Sequence, residues 1–213
     1  MWKEYESYYL YVADKNKNKA GFYNVRRGSI TPTKFLSCAG EDPFTTREDQ
    51  IGLMTGKLKR EFTSEELTNL QRGKDHESHI IKMYSDRNPN FNICKFEEDE
   101  FPVWKKDTYI RGIPDSFVRD KNGKIIGIVE AKSKNHYNGE ISLRDYYQVL
   151  GYMVILDAKW TDFCVYVVDE NKYVITRINF NENDWNELYV KLCDFKDNYL
   201  IKGLKGKKYP IQP

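Results

Sequence analysis

Three residues have the types and spacing for chemistry: Asp115 in Ile113-Pro114-Asp115, and Glu130 and Lys132 in Val129-Glu130-Ala131-Lys132. Between them lies Asp120-Lys121-Asn122-Gly123, a hairpin-turn signature flanked by apolar alternation. Glu130 and Lys132 are two apart on the returning strand and point to one face. A turn centred on Lys121-Asn122 pairs Asp115 with Ile128 and sets it diagonal to Glu130, roughly 7–8 Å away, close enough for one ion to bridge the side chains. Two carboxylates crowded onto a mostly apolar sheet cannot both ionise cheaply. A divalent cation removes that penalty, and two carboxylates with the backbone carbonyl of Ala131 are a hard-oxygen set suited to Mg²⁺. The chemistry such a set serves is attack on a phosphodiester: the metal polarises the phosphate and acidifies a bound water. Lys132 would hold that water or steady the charge growing on phosphorus. The competing reading is a surface hairpin with Lys–Glu pairing, worth at most about 1 kcal/mol. The spacing alone does not decide between them.

Other elements must carry these residues. Tyr109–Val118 and Ile125–Lys132 read as the two strands of the hairpin, with period two setting in from Pro102. Thr63-Ser64-Glu65-Glu66 opens a helix that continues past Gly73 to Tyr84, with Glu77, Ile80, Ile81 and Tyr84 on one stripe. A glycine inside that helix suggests a close packing partner. Leu143–Leu156 is a further helix, Asp162–Val168 a buried strand, Tyr173–Ile178 another strand, and Asn183–Leu200 a final amphipathic helix. Near the N-terminus, residues Tyr5 to Tyr23 suggest a strand pair about the turn Lys15–Asn18, and Thr31-Pro32 starts a helix reaching Leu36. The alternation predicts an α/β fold with a mixed central sheet flanked by helices, in one domain spanning residues 1–213.

Composition narrows the function class. With 213 residues, 40% hydrophobic and 31% charged, the chain is ordinary for a soluble protein. No run approaches the ~18 apolar residues of a membrane span, and the first residues lack an apolar signal core, so an intracellular, membrane-free protein is expected. A net charge of +2 announces no global nucleic-acid field, so DNA contacts must come from local clusters such as Arg47 and Lys57-Leu58-Lys59-Arg60. The four cysteines stand far apart, which argues against zinc and for free thiols. His76 and His79 lack a nearby third ligand and read as ordinary polar residues. The 16 tyrosines belong mainly to the core, and an abundance of Lys, Asn and Tyr points to an AT-rich viral or phage genome.

Four motifs in order carry a family resemblance. Gly112-Ile-Pro-Asp-Ser with Ile128-Val-Glu-Ala-Lys resembles the PD-(D/E)XK signature of restriction-endonuclease-like nucleases. Arg72-Gly-Lys-Asp-His-Glu-Ser resembles the G-x-x-x-E helix of the lambda exonuclease and YqaJ-like viral recombinase (alkaline exonuclease) family. Asp145-Tyr-Tyr-Gln-Val-Leu-Gly-Tyr resembles its Y-x-Q helix, and Val25-Arg-Arg-Gly-Ser-Ile-Thr-Pro-Thr its R-x-G-x-I-T-A-S segment. The resemblance implies a PD-(D/E)XK fold in which Asp115, Glu130 and the Ala131 carbonyl ligate Mg²⁺ or Mn²⁺. It implies that Lys132 serves the water, that Glu77 touches a second ion or its water, and that Gln148 bonds near the lysine or to the substrate backbone. It assigns Arg26 and Thr33 to a 5′-phosphate. It further implies a 5′→3′ exonuclease on double-stranded DNA that leaves 3′ overhangs for a recombinase partner, as a homotrimer or a monomer. The chain departs from the pattern at Thr33, at Tyr23 and at Leu150, where the family often has serine, tryptophan and a second glutamine.

Two alternatives stand beside this. An endonuclease or endoribonuclease could use the same core without a 5′-phosphate pocket, so Arg26 and Thr33 discriminate. A non-catalytic nucleic-acid-binding module would be expected to have lost one member of the set Glu77, Asp115, Glu130 and Lys132.

Overall fold

The computed structural model describes residues 1–13, 28–204 and 213. Its central feature is a five-stranded sheet ordered β3-β5-β6-β7-β8, from strands β3 (Asn92–Cys94), β5 (Ser116–Arg119), β6 (Ile125–Lys134), β7 (Trp160–Val167) and β8 (Lys172–Asn179). The β6–β7 pair is parallel and the other pairs are antiparallel, the mixed sheet expected from the alternation of elements. The crossover between the parallel strands is a helix, Leu143–Leu156, as such a pair requires. A smaller sheet, β1-β2-β4, joins β1 (Trp2–Glu4), β2 (Tyr8–Val12) and β4 (Glu100–Trp104). The helices are α1 (Phe35–Ala39), α2 (Arg47–Thr55), α3 (Ser64–Arg87), α4 (Leu143–Leu156), α5 (Glu182–Phe195) and the short α6 (Ile201–Gly203).

Period-two alternation sorts β6 onto two faces. Ile128 joins the large core with Leu150, Met153 and Phe163, on the side covered by α4. Val129 joins Ile80, Ile81, Tyr84, Val118 and Cys164, on the side covered by α3. The stripe read from the sequence thus places α3 on the sheet. Buried Asp162 of β7 fastens it there, accepting from the Tyr84 hydroxyl at 2.5 Å and from Arg177 at 2.7 Å through each oxygen. Only glycine fits at position 127, because an added Cβ would lie 2.3 Å from the Trp160 ring.

Several expectations change. Tyr109–Val118 is not one strand: only Ser116–Arg119 is, while Ile110 and Arg111 make single bridges to Ile30 and Val103. Pro114 lacks an N–H and Gly112 packs against Pro32, so the segment cannot sustain a ladder. The helix expected from Thr31 begins as a 3₁₀ turn, Pro32–Lys34, before α1. The final helix runs through a wider π turn at Lys196–Leu200. β2 pairs with β1 and β4; the turn Lys15–Asn18 and the strand toward Tyr23 lie outside the described residues. Among the described residues an added Cβ at Gly73 would meet nothing within 4 Å, so no close partner there explains that glycine. No described helix is long and apolar enough to cross a membrane.

Candidate active site

The hairpin that carries the three residues is wider than its sequence suggests. Asp120 N–H donates to Lys124 O at 2.9 Å, leaving three loop residues with Gly123 at φ 80°, rather than a two-residue turn. The Asp120 carboxylate accepts from the N–H groups of Asn122 and Lys124, both at 2.9 Å, and fixes this shape. One further residue is taken up by a bulge between Val118 and Arg119. The pairing is therefore Phe117 with Ile128 and Ser116 with Val129, and the next pair is Asp115 opposite Glu130. The predicted diagonal is replaced by a direct pair. A shift of two positions leaves every side chain on its face, where a shift of one would have parted the carboxylates.

Glu130 is 2% exposed. Its Oε1 accepts from Lys132 Nζ at 2.9 Å and from Gln148 Nε2 at 2.6 Å, while its buried Oε2 has no hydrogen-bond partner among the described residues. Asp115 is half-buried, and its Oδ2 accepts from Ala131 N–H at 2.8 Å. A strand residue's N–H and C=O leave the same edge, so the Ala131 carbonyl points to the side where Asp115 lies. Burial and the Glu130 charge push the Asp115 carboxyl well above the usual carboxylate range. Burial also pushes Glu130 up, against the opposing pull of the Lys132 ammonium. Lys132 is held charged up to about 12: burial lowers it, but Glu130 and Asp145 outweigh that. Together these are two crowded carboxylates with one orphaned oxygen and a lysine fixed beside them, an arrangement a hard divalent cation would complete.

α4 closes the cleft. Gln148 accepts from Lys132 Nζ through Oε1 at 3.0 Å and donates through Nε2 to Glu130 and to the Tyr152 hydroxyl at 3.2 Å. One amide thus orients both the lysine and the carboxylate. Glu77 projects from α3 near enough for its charge to raise Asp115, yet its own Oε1 accepts from Lys95 Nζ at 3.0 Å. Among the described residues no three Asp, Glu, His or Cys side chains converge as a metal-ligating group, so a cation here would rely on Asp115, Glu130 and a backbone carbonyl.

The remaining predicted residues fall into place unevenly. Thr33 is exposed in the 3₁₀ turn, its hydroxyl 3.2 Å from that of Thr31. It lines a cavity of about 750 Å³ with Lys34, Arg60 and Arg144. Arg26 lies outside the described residues. Arg47, expected as a DNA contact, instead ties α2 down, donating to the Cys38 and Ala39 carbonyls and to Asp194. His76 bonds Ser133 at 2.8 Å, and His79 packs its ring on Tyr166 and Tyr173, so neither is a ligand pair. All four cysteines are free thiols.

The sequence reading missed Asp145 and Lys134. Asp145 accepts from Lys134 Nζ at 2.9 Å, and its other oxygen lies 3.8 Å from Lys132 Nζ. Two signals were available: lysines two apart on one strand face, and an acid three residues after Ser142 at a helix start.

The fold is similar to an alkaline exonuclease from Laribacter hongkongensis, at a TM-score of 0.70 and 17% identity, covering 85% of this chain and 93% of that one. The complex of that enzyme with dAMP gives the same TM-score and identity, over 85% and 92%. A phage-related exonuclease from Haemophilus somnus 129PT aligns at a TM-score of 0.55 and 12% identity, over 82% and 94%. Among curated proteins nothing matches the sequence. The architecture is the restriction-endonuclease-like PD-(D/E)XK fold, a mixed sheet flanked by helices. The model of the YqaJ-like viral recombinase domain matches residues 21–158, and the chain belongs to that family.

Proposed function

We propose that the chain is a divalent-metal-dependent deoxyribonuclease that degrades one strand of duplex DNA from a 5′ end. The observation that carries the nuclease reading is the pair Asp115–Glu130, with Lys132 beside it and a buried Glu130 Oε2 that has no hydrogen-bond partner among the described residues. Family membership and the exonuclease neighbours support it. Asp115, Glu130 and the Ala131 carbonyl would hold Mg²⁺ or Mn²⁺, with Glu77 available to a second ion once it leaves Lys95. The bound cation supplies Lewis acidity toward the phosphate and lowers the pKa of its water.

The chain's own groups do the rest. Lys132 stays protonated and holds the attacking water or the developing charge on phosphorus. Gln148 fixes the lysine and keeps Glu130 Oε1 occupied, so that Oε2 is the oxygen left for the ion. Thr33, with Lys34 and Arg144 beside it and Arg26 nearby in sequence, is the place for a terminal 5′-phosphate. That assignment carries the preference for 5′ ends.

The test is digestion of a linear duplex labelled at one 5′ end, with Mg²⁺ or EDTA, beside a closed circle and a single-stranded RNA. Mononucleotide release from the 5′-phosphorylated strand, lost in Lys132→Ala and strongly reduced in Arg26→Ala, is expected. Cutting of the circle or the RNA would move the function to an endonuclease; no metal-dependent cleavage of any substrate would overturn the nuclease reading.

A further inference from the structure

We infer that Asp145 is a positioning residue for Lys132, a buried carboxylate that fixes the ammonium from the helix side of the cleft and is itself fixed by Lys134 and Ser142. The inference rests on the nuclease reading above and deepens it.

Among the described residues, Lys132 Nζ lies near Glu130 Oε1 at 2.9 Å, Gln148 Oε1 at 3.0 Å and Asp145 Oδ1 at 3.8 Å. Glu130 is also the carboxylate proposed to face the cation, and a dication draws charge away from whatever else that carboxylate holds. Asp145 is free of that competition. Its Oδ2 accepts from Lys134 Nζ and from the Ser142 hydroxyl, both at 2.9 Å, which leaves Oδ1 turned toward Lys132. It therefore remains as a fixed anion beside the lysine whether or not Glu130 is engaged.

Helix capping alone does not account for this placement. In α2 and α3 the acid at the third helical position, Asp49 or Glu66, closes a capping box on the backbone N–H of the N-cap threonine. In α4 the N-cap Ser142 accepts from Asp145 N–H and its hydroxyl donates to the Asp145 carboxylate, but no backbone N–H bond closes a capping box, and the same carboxylate reaches the lysines. Asp145 is 9% exposed, and a carboxylate so buried is costly unless it is paired. What it pairs with are two like charges, Lys132 and Lys134, on the same face of β6 and roughly 7 Å apart along the strand. Placed between them, one carboxylate offsets their repulsion and sets where each ammonium sits.

The experiment compares kcat and KM on a 5′-phosphorylated duplex at saturating Mg²⁺ for wild type, Asp145→Asn, Lys134→Met and the double variant, alongside thermal melting. Tyr84→Phe, which removes a bond to Asp162 on the opposite face of the sheet, is the reference for loss of stability alone. Asp145→Asn is expected to lower kcat ten- to a hundredfold with KM for DNA within twofold. Lys134→Met keeps the carboxylate and should lower kcat severalfold, adding little in the double variant. The proposal is overturned if Asp145→Asn keeps wild-type kcat, or if kcat follows melting temperature along the line set by Tyr84→Phe. A wild-type protein inactive with every metal would overturn the nuclease reading instead.

Discussion

Replacing Asp115 with asparagine should make the metal-free protein more stable at alkaline pH while abolishing its chemistry. Asp115 and Glu130 face each other across β5 and β6, and both carboxyls are pushed up, Asp115 by burial and by Glu130, Glu130 by burial. With the carboxylates about 5 Å apart and an effective dielectric of about 20, their repulsion is about 3 kcal/mol. Asparagine also gives up the attraction of the Asp115 carboxylate to the Lys132 ammonium, which offsets part of it and leaves about 1–2 kcal/mol. Asparagine keeps an acceptor for Ala131 N–H and removes the charge. A raised acid pKa means that the folded state binds more protons than the unfolded chain once pH exceeds about 4. Stability is then lost as pH rises toward the folded-state value. In EDTA at pH 8, Asp115→Asn should melt about 2–8 °C above wild type, with the gap closing toward pH 4. Adding Mg²⁺ should raise the melting temperature of wild type and not of the variant. Melting curves between pH 4 and 8.5, with EDTA or Mg²⁺, read all of this. A variant no more stable than wild type in EDTA at pH 8 would refute the electrostatic account of the site.

Two further outcomes follow from single contacts. Gln148→Met keeps the volume but removes the bonds to Lys132 and Glu130, charged-group bonds worth about 1.5–3 kcal/mol. It should lower kcat about 10–100-fold with little change in DNA affinity, measured by single-turnover cleavage and by filter binding in EDTA. Gly151→Ala puts a Cβ 2.4 Å from Phe35 and 2.9 Å from Pro32, an overpacking of about 1–3 kcal/mol. Because Pro32 opens the turn that carries Thr33, the variant should melt lower and show a raised KM for 5′-phosphorylated ends; an unchanged melting temperature would contradict the packing described.

The sequence by itself determined what depends on local period and chemistry. Alternation in Ile125–Lys132 put Glu130 and Lys132 on one face, the Thr63 capping box started α3, and the stripe Ile80–Ile81–Tyr84 chose its buried side. Even with the wrong register, Asp115 shared a face with Glu130, because the error was two residues and the period of a strand is two. Tertiary structure decided what depends on where separate elements cross. The three-residue loop and the bulge turned a diagonal into a direct pair, and Pro114 with Gly112 cut a predicted long strand to four residues. Only the packing of α4 over β6 brought Gln148 and Asp145 to Lys132, 16 and 13 positions along the chain, and left Glu130 Oε2 without a partner among the described residues. Arg47 likewise became a tie to Asp194, 147 positions away. A strand's period is written in neighbouring residues, but the partner of a charged tip is fixed only when two elements meet.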